Sequence, residues 1–317
     1  METVSFGLRA QLAARLERGS PWWSRWLSGR VVRPLPREQA YANVRIVTVG
    51  GATLGGSHKT PLVRALATEL AKRGARVAVV AHGYRASRAH AAEARFVDAS
   101  DALSDVGDDA LYLARALPAR SVVLASSRRA ALVFAARAGA HVVVLDGALA
   151  FSPRRADVRV LALDARDPWG AGDRIASPYA LTKAATHVVH VTEAPCDQTL
   201  ARAATWRGAR VGVVTTIARP ERFLRALAAY GVHPVLHARF GDHDPLSRTR
   251  AQALGALARS RGLEAWVATE KCMLHLLPHA QESALLTAPP YAWETRIAVP
   301  AAIVTAALGH DGSARAE

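Results

Sequence analysis

Lys59 and Thr60 follow a glycine-rich turn that itself follows an apolar run, in the stretch Val47-Thr-Val-Gly-Gly-Ala-Thr-Leu-Gly-Gly-Ser-His-Lys-Thr-Pro61. Strand, glycine-rich turn and Lys-Thr at a helix start are the parts of a polyphosphate site. Backbone N–H groups of Gly55, Gly56, Ser57 and His58 can surround anionic oxygens, Lys59 can neutralise the terminal phosphates, and the Thr60 hydroxyl can ligate Mg²⁺. The residue before the lysine of such a loop is ordinarily glycine, and here it is His58. A second group of chemically capable residues sits where apolar runs end: Asp108 in Val106-Gly-Asp-Asp109, Asp146 in Leu145-Asp-Gly147, His243 in Phe240-Gly-Asp-His243, and Lys271 in Thr269-Glu-Lys-Cys272. α/β proteins place ligands at strand ends, and an Asp closing a strand downstream of a phosphate loop is the usual magnesium-linked carboxylate. The Asp108 and Asp242 clusters also read as helix caps or solvated turns.

The elements that must hold these residues are legible from periodicity. Val44–Val49 is rich in β-branched residues, Pro61–Lys72 repeats apolar residues at helical spacing, Gly74 stops that helix, and Val77–Val80 is a buried strand. The alternation continues with a helix near 109–116, strand 121–125, helix 128–138, strand 141–145, strand 158–163 and strand 186–191. A looser stretch, 164–178, reads as a functional loop. A second series starts at Val211–Thr215 and runs through helix 220–230, strand 233–238, helix 245–261 and strand 265–268. The expected fold is α/β: a phosphate-loop NTPase-like, mainly parallel sheet with a second, smaller α/β lobe and an N-terminal helical segment. The expected divisions are 1–40, 41–200 and 201–317, with the lobe boundary near 192–208.

Composition narrows the partners. The 317 residues, half of them apolar, can bury one large or two medium cores, and 41 Lys plus Arg against 26 Asp plus Glu leave a formal charge of +15. That charge points to an anionic partner, although an excess of arginine and alanine is equally the mark of a GC-rich coding sequence. With 6% aromatic residues and no recognisable nucleic-acid module, a base-stacking platform is disfavoured. Cys196 and Cys272 fit no metal-ligand spacing and read as reduced thiols. Charged residues interrupt the N-terminus as a signal peptide, and the apolar stretch 297–309 is too short to span a bilayer and contains Pro300. Phe6, Leu8, Leu12 and Leu16 recur near helical spacing beside arginines, and Pro21–Arg30 holds Trp22, Trp23 and Trp26 among basic residues. This is either an interfacial segment for an anionic membrane or a helix packed on the protein's own core.

Taken in order, the blocks resemble the tetraacyldisaccharide 4′-kinase family, the lipid A 4′-kinases of Gram-negative bacteria. The resemblance rests on Gly55-Gly-Ser-His-Lys-Thr-Pro61, Arg76-Val-Ala-Val-Val-Ala-His-Gly-Tyr84, Val106-Gly-Asp-Asp109, Asp146-Gly147, Gly170-Ala-Gly172 with Pro178, Ile217-Ala-Arg-Pro-Glu-Arg-Phe223, Phe240-Gly-Asp-His243 and Thr269-Glu-Lys271. It implies transfer of the γ-phosphoryl of ATP, with Mg²⁺, to the 4′-hydroxyl of a lipid A disaccharide 1-phosphate precursor. It also implies a peripheral enzyme at the cytoplasmic face of the inner membrane, against an anionic surface, with no nucleic-acid partner. Carried over, Lys59 binds phosphate, Thr60 and Asp146 serve the metal, and Asp108 with His243 activates the hydroxyl. The family pattern is broken at His58, His82, Arg85, Leu145, Ala148–Ala150 and Cys272. A divergent active kinase and a catalytically weak homologue that binds lipid or nucleotide as a regulatory or scaffolding protein both accommodate those breaks. An unrelated phosphate-loop ATPase acting on nucleic acid explains the charge but not the later blocks.

Overall fold

Arg45–Gly51 forms a strand whose residues after the first are all buried, the mark of a central strand covered on both faces. The computed structural model describes residues 1–5, 41–53, 56–81, 94–147, 156–170, 178–280 and 286–309. With elements numbered in chain order, β1 is Glu2–Ser5 and Arg45–Gly51 is β2; α1 (Lys59–Lys72), β3 (Val77–Val80), β4 (Arg95–Phe96), α2 (Leu103–Val106), α3 (Asp108–Ala116), β5 (Val122–Leu124), α4 (Arg128–Arg137), β6 (Val142–Asp146), β7 (Val158–Asp164), α5 (Pro178–Ala184) and β8 (His187–Val191) follow. Strands β4-β5-β3-β6-β2-β7-β8 make one sheet in that order, parallel except for the β4–β5 edge pair. The phosphate-loop strand β2 therefore lies between β6 and β7. Val49 is opposite Asp146 on one side, and Gly51 is opposite Ala162 on the other.

Helix α1 covers this sheet with Leu62, Val63, Leu66, Ala67 and Leu70, all buried at helical spacing. It stops at Gly74, whose φ of +82° is open to glycine and strained for other residues; its N–H bonds Ala71 O while Ala75 N–H returns to Leu70 O. Among the described residues Arg45 ties the C-terminal helix α10 (Ala301–Leu308) to β2, donating to the last-turn carbonyls of Ala306 at 2.7 Å and Ala307 at 3.1 Å.

The second unit comprises Glu193–Arg296 with the first strand. It holds β9 (Glu193–Pro195), α6 (Asp197–Trp206), β10 (Val211–Thr215), α7 (Pro220–Ala229), β11 (Leu236–Arg239), α8 (Arg248–Arg261), β12 (Ala265–Thr269), α9 (Glu270–Ala280), β13 (Pro290–Trp293) and β14 (Thr295–Ile297). Its sheet is parallel throughout, in the order β1-β11-β10-β12-β13. Trp266, Phe240, Leu254 and Leu276 fill one face. Trp206, Phe223, Leu227 and Trp293 fill the other, with Trp293 ring centroids 5.8–6.4 Å from those of Trp206, Phe223 and Tyr230. Gly212 is required by close packing, because a Cβ there would lie 2.5 Å from the Trp266 ring.

The two ends of the chain group differently from the expected divisions. The units divide between Thr192 and Glu193, so β9 and α6 of the 192–208 stretch belong to the second unit, with Ala203 and Trp206 entering its core. The C-terminal stretch from Ile297 groups with the phosphate-loop unit because α10 packs on α1 and β2, whereas β1 joins the other unit's sheet beside β11. The chain passes between units beside the two-stranded β9–β14 sheet. No described helix is long and apolar enough to cross a membrane. The Trp-Arg segment through residue 40 lies outside the described residues after Ser5.

Inside the second unit His237 is buried in β11, with Nε2 2.8 Å from Thr215 Oγ1. Burial, and secondarily the charge of Arg239, push its pKa from 6.5 down to about 4. Folded His237 is therefore neutral where unfolded His237 is already protonating. Its contribution is complete above pH 6.5 and is lost as pH falls toward about 4. Urea unfolding across that window should show an extra slope of up to about 1.4 kcal/mol per pH unit that is absent from His237→Gln.

Candidate functional site: the phosphate loop and its acidic flanks

The loop is braced from within. A Cβ on Gly51 would lie 2.4 Å from both Cβ and Oγ of Ser57, so only glycine lets the end of β2 meet the returning chain. Ser57 Oγ is 2.6 Å from Thr53 Oγ1, and Lys59 Nζ lies over the Thr53 carbonyl at 3.4 Å. Gly56 turns with φ +68°. Gly55 lies outside the described residues.

At the start of α1 the first turn carries no acidic residue, so the helix dipole and the Lys59 ammonium present one sign of charge. Thr60 points toward β6. Its Oγ1 donates to Asp146 Oδ2 at 2.8 Å and reaches Asp109 Oδ1 at 3.3 Å. One hydroxyl and two carboxylates form an all-oxygen donor set, the kind a small hard divalent cation takes. Asp146 is buried, and the neighbouring position explains one departure in the sequence: Leu145 alternates to the opposite face of β6, where it is wholly enclosed with Val143, Val123 and Leu132. The missing acid is thus a core residue in this chain.

Arg128 escaped the sequence reading. It opens α4 after Ser127, whose hydroxyl caps the helix by accepting from Ala130 N–H. Burial holds the guanidinium pKa below its ordinary value while the Asp146 carboxylate pulls it back up, placing a cation within electrostatic reach of that carboxylate. Its signal was an arginine at the first helical position after an apolar strand.

Asp108 is buried in the first turn of α3, entered through Gly107 at φ +80°. Its neighbour Asp109 makes the contact to Thr60. His243 belongs to the other unit. It adopts φ +56°, and its N–H bonds Thr216 O at 2.9 Å. Its Nδ1 is 3.2 Å from Lys271 Nζ. An ammonium only donates, so Nδ1 accepts and the neutral ring carries its proton on Nε2. In this arrangement His243 offers a proton rather than accepting one. Cys272, at the aspartate position of the family pattern, is fully enclosed, receives Thr216 N–H at 3.2 Å, and has its thiol pushed up by burial. Both cysteines are free thiols and buried. His82, Arg85 and Ala148–Ala150 lie outside the described residues, as do residues 171–177 of the loop.

The family model for tetraacyldisaccharide-1-P 4′-kinase matches residues 30–176 and 171–308. A tetraacyldisaccharide 4′-kinase of Anaeromyxobacter sp. (strain Fw109-5) is 35% identical over 286 residues, covering 76% of each chain. That of Methylobacterium sp. (strain 4-46) is 32% identical over 280 residues, covering 80% of this chain and 82% of the relative. In fold, the chain is similar to LpxK from Aquifex aeolicus, solved in complex with ATP, with a TM-score of 0.59 at 17% identity over 96% of this chain and 99% of that one. With fold, loop and family blocks in agreement, the chain belongs to the tetraacyldisaccharide 4′-kinase family.

Proposed function

We propose that this protein transfers the γ-phosphoryl of ATP to the 4′-hydroxyl of a lipid A disaccharide 1-phosphate precursor. The observation that carries the reading is the Thr60–Asp146–Asp109 cluster at the foot of a loop that also presents Lys59. A homologue kept only for lipid binding has no need of this cluster, and against one that only binds nucleotide the active-kinase reading is supported by relatives named as tetraacyldisaccharide 4′-kinases.

In this reading Gly55, Gly56, Ser57, His58 and Lys59 hold the phosphates, and Lys59 exchanges its long contact to Thr53 for the anionic oxygens. Thr60 and Asp146 hold Mg²⁺, with Asp109 beside them; the ion supplies neutralisation of phosphate charge. Arg128 adds a fixed positive charge on the Asp146 side. The substrate hydroxyl loses its proton to Asp108 as its oxygen bonds the γ-phosphorus, the bond from that phosphorus to the bridging oxygen breaks, and ADP departs. Phosphoryl transfer asks mainly for alignment and charge neutralisation, and a carboxylate suffices as the proton acceptor. By the family resemblance, His243 is the residue that partners this carboxylate in activating the hydroxyl.

The finer assignments belong to the same reading: divisions at 1–40, 41–200 and 201–317 corrected by the return of the C-terminal helix, attachment through the Trp-Arg segment to an anionic surface, and residence at the cytoplasmic face of the inner membrane. The net charge of +15 supports attraction to such a surface.

The test is incubation of purified protein with Mg²⁺, ATP and the disaccharide 1-phosphate acceptor in detergent micelles. Stoichiometric formation of ADP and a bisphosphorylated lipid is expected. A folded protein that binds the acceptor but yields no such lipid would instead establish the binding homologue.

A further inference from the structure

His58 occupies a position where the related loops carry glycine, and it adopts the conformation glycine favours. Its φ is 55° and ψ 24°, in the left-handed region that costs a residue with a Cβ. It does not cap α1 through its side chain. The imidazole instead reaches the end of the neighbouring strand, where Nε2 lies 2.7 Å from Asp164 Oδ2. A carboxylate accepts, so Nε2 donates.

Asp164 is a fixed anchor. It closes β7, and its other oxygen receives N–H groups from Arg166 and Asp167, each at 2.8 Å. Both side chains are mostly shielded from water, 18% exposed for His58 and 12% for Asp164, so the bond is little weakened by solvent competition. Since β7 is paired with β2, the bond connects the exit of the loop to the same sheet that carries its entrance. Thr60 is tied to β6, and His58 is tied to β7 on the opposite flank. Lys59 therefore sits between two residues each anchored to a different neighbour of β2.

We propose that His58 and Asp164 are a positioning pair that fixes the phosphate loop for ATP, replacing glycine's backbone freedom with a side-chain bond that holds the left-handed turn in place. The His58 departure is then compensated in the fold rather than damaging. The proposal rests on the reading of the loop as an ATP site, but not on the identity of the acceptor.

Binding of Mg²⁺–ATP to the purified full-length chain tests it, with thermal unfolding measured alongside. His58→Ala keeps the Cβ and loses the bond, and should weaken ATP binding by about tenfold or more, as expected for a lost hydrogen bond to a charged group. His58→Gln, which retains a donor on a side chain of similar reach, should recover much of the affinity. Asp164→Ala should weaken binding comparably, and the double variant should be no weaker than the worse single one. In turnover assays His58→Ala should raise KM for ATP more than it lowers kcat. Unchanged ATP affinity in His58→Ala, additive losses in the double variant, or His58→Gly binding about tenfold more tightly than wild type would each overturn the pair. Absence of ATP binding in wild type and every variant would overturn the ATP reading of the loop together with the pair. Intact ATP binding without lipid product would leave the pair standing and remove only the kinase reading.

Discussion

Lys59→Ala should lower kcat/KM for lipid phosphorylation on the order of 10²- to 10³-fold, the range for removing one preorganised group aimed at developing charge. Lys59 is the first residue of α1, on a helix whose opening turn has no acidic side chain, and its ammonium rests on a neutral carbonyl at 3.4 Å. That contact is weak enough to be given up when phosphate arrives. The same substitution should leave stability nearly unchanged, because Lys59 is only partly buried. Measured KM for ATP and kcat should both deteriorate, since the lysine meets the phosphates in ground state and transition state alike. A variant that unfolds at the wild-type urea midpoint yet retains turnover would show that another cation does this work.

Asp108→Asn is the second large effect. The substitution preserves shape at a buried position in the first turn of α3 and removes the capacity to take a proton. On the proposed mechanism kcat falls by about 10²- to 10⁴-fold, the usual weight of a general base, with KM for ATP little altered. Asp109, one residue on, makes the opposite prediction. It contacts Thr60 Oγ1, so its loss should act through Mg²⁺ affinity and be partly rescued by raising the Mg²⁺ concentration. Comparing the two variants separates proton transfer from metal binding within one helical turn. Rescue of Asp108→Asn by Mg²⁺ would transfer Asp108 to the metal set.

The phosphate-loop unit was largely legible because its signals are local. Val47 and Val49 are fully enclosed on a central parallel strand, Leu62, Leu66 and Leu70 mark one helix face, and Gly74 stops that helix. Asp146 could be selected because an acid directly after four apolar residues of a strand emerges at the strand end. Other features depend on pairing between distant segments. β1 has only four residues and gains its place by lying beside β11, more than two hundred residues away. α6 is an Ala-, Thr- and Arg-containing stretch whose role is set by Ala203 and Trp206 reaching the aromatic core. The apolar stretch after Pro300 looks self-sufficient in sequence, but its partners are α1, β2 and the Arg45 side chain.

The same distinction holds within the site. Lys59 and Thr60 are recognised by their neighbours in sequence, whereas Arg128 is recognised only when the folded sheet, with β3 between β5 and β6, sets the start of α4 within electrostatic reach of Asp146. Departures from the family pattern were harder still to read. Leu145 and Cys272 look like lost catalytic groups in sequence, and the fold places both in fully enclosed packing. His58 looks like an obstruction until Asp164 is found at 2.7 Å. A substitution's meaning depended in each case on which face of its element it occupied.

The most direct measurement is the position of the new phosphate on the product formed from Mg²⁺, ATP and the disaccharide 1-phosphate acceptor, determined by phosphorus NMR and tandem mass spectrometry. The account predicts a single new phosphomonoester on the 4′-oxygen, absent when Lys59→Ala replaces the wild type. A phosphate at any other hydroxyl, or ADP released with no phosphorylated lipid, would contradict it.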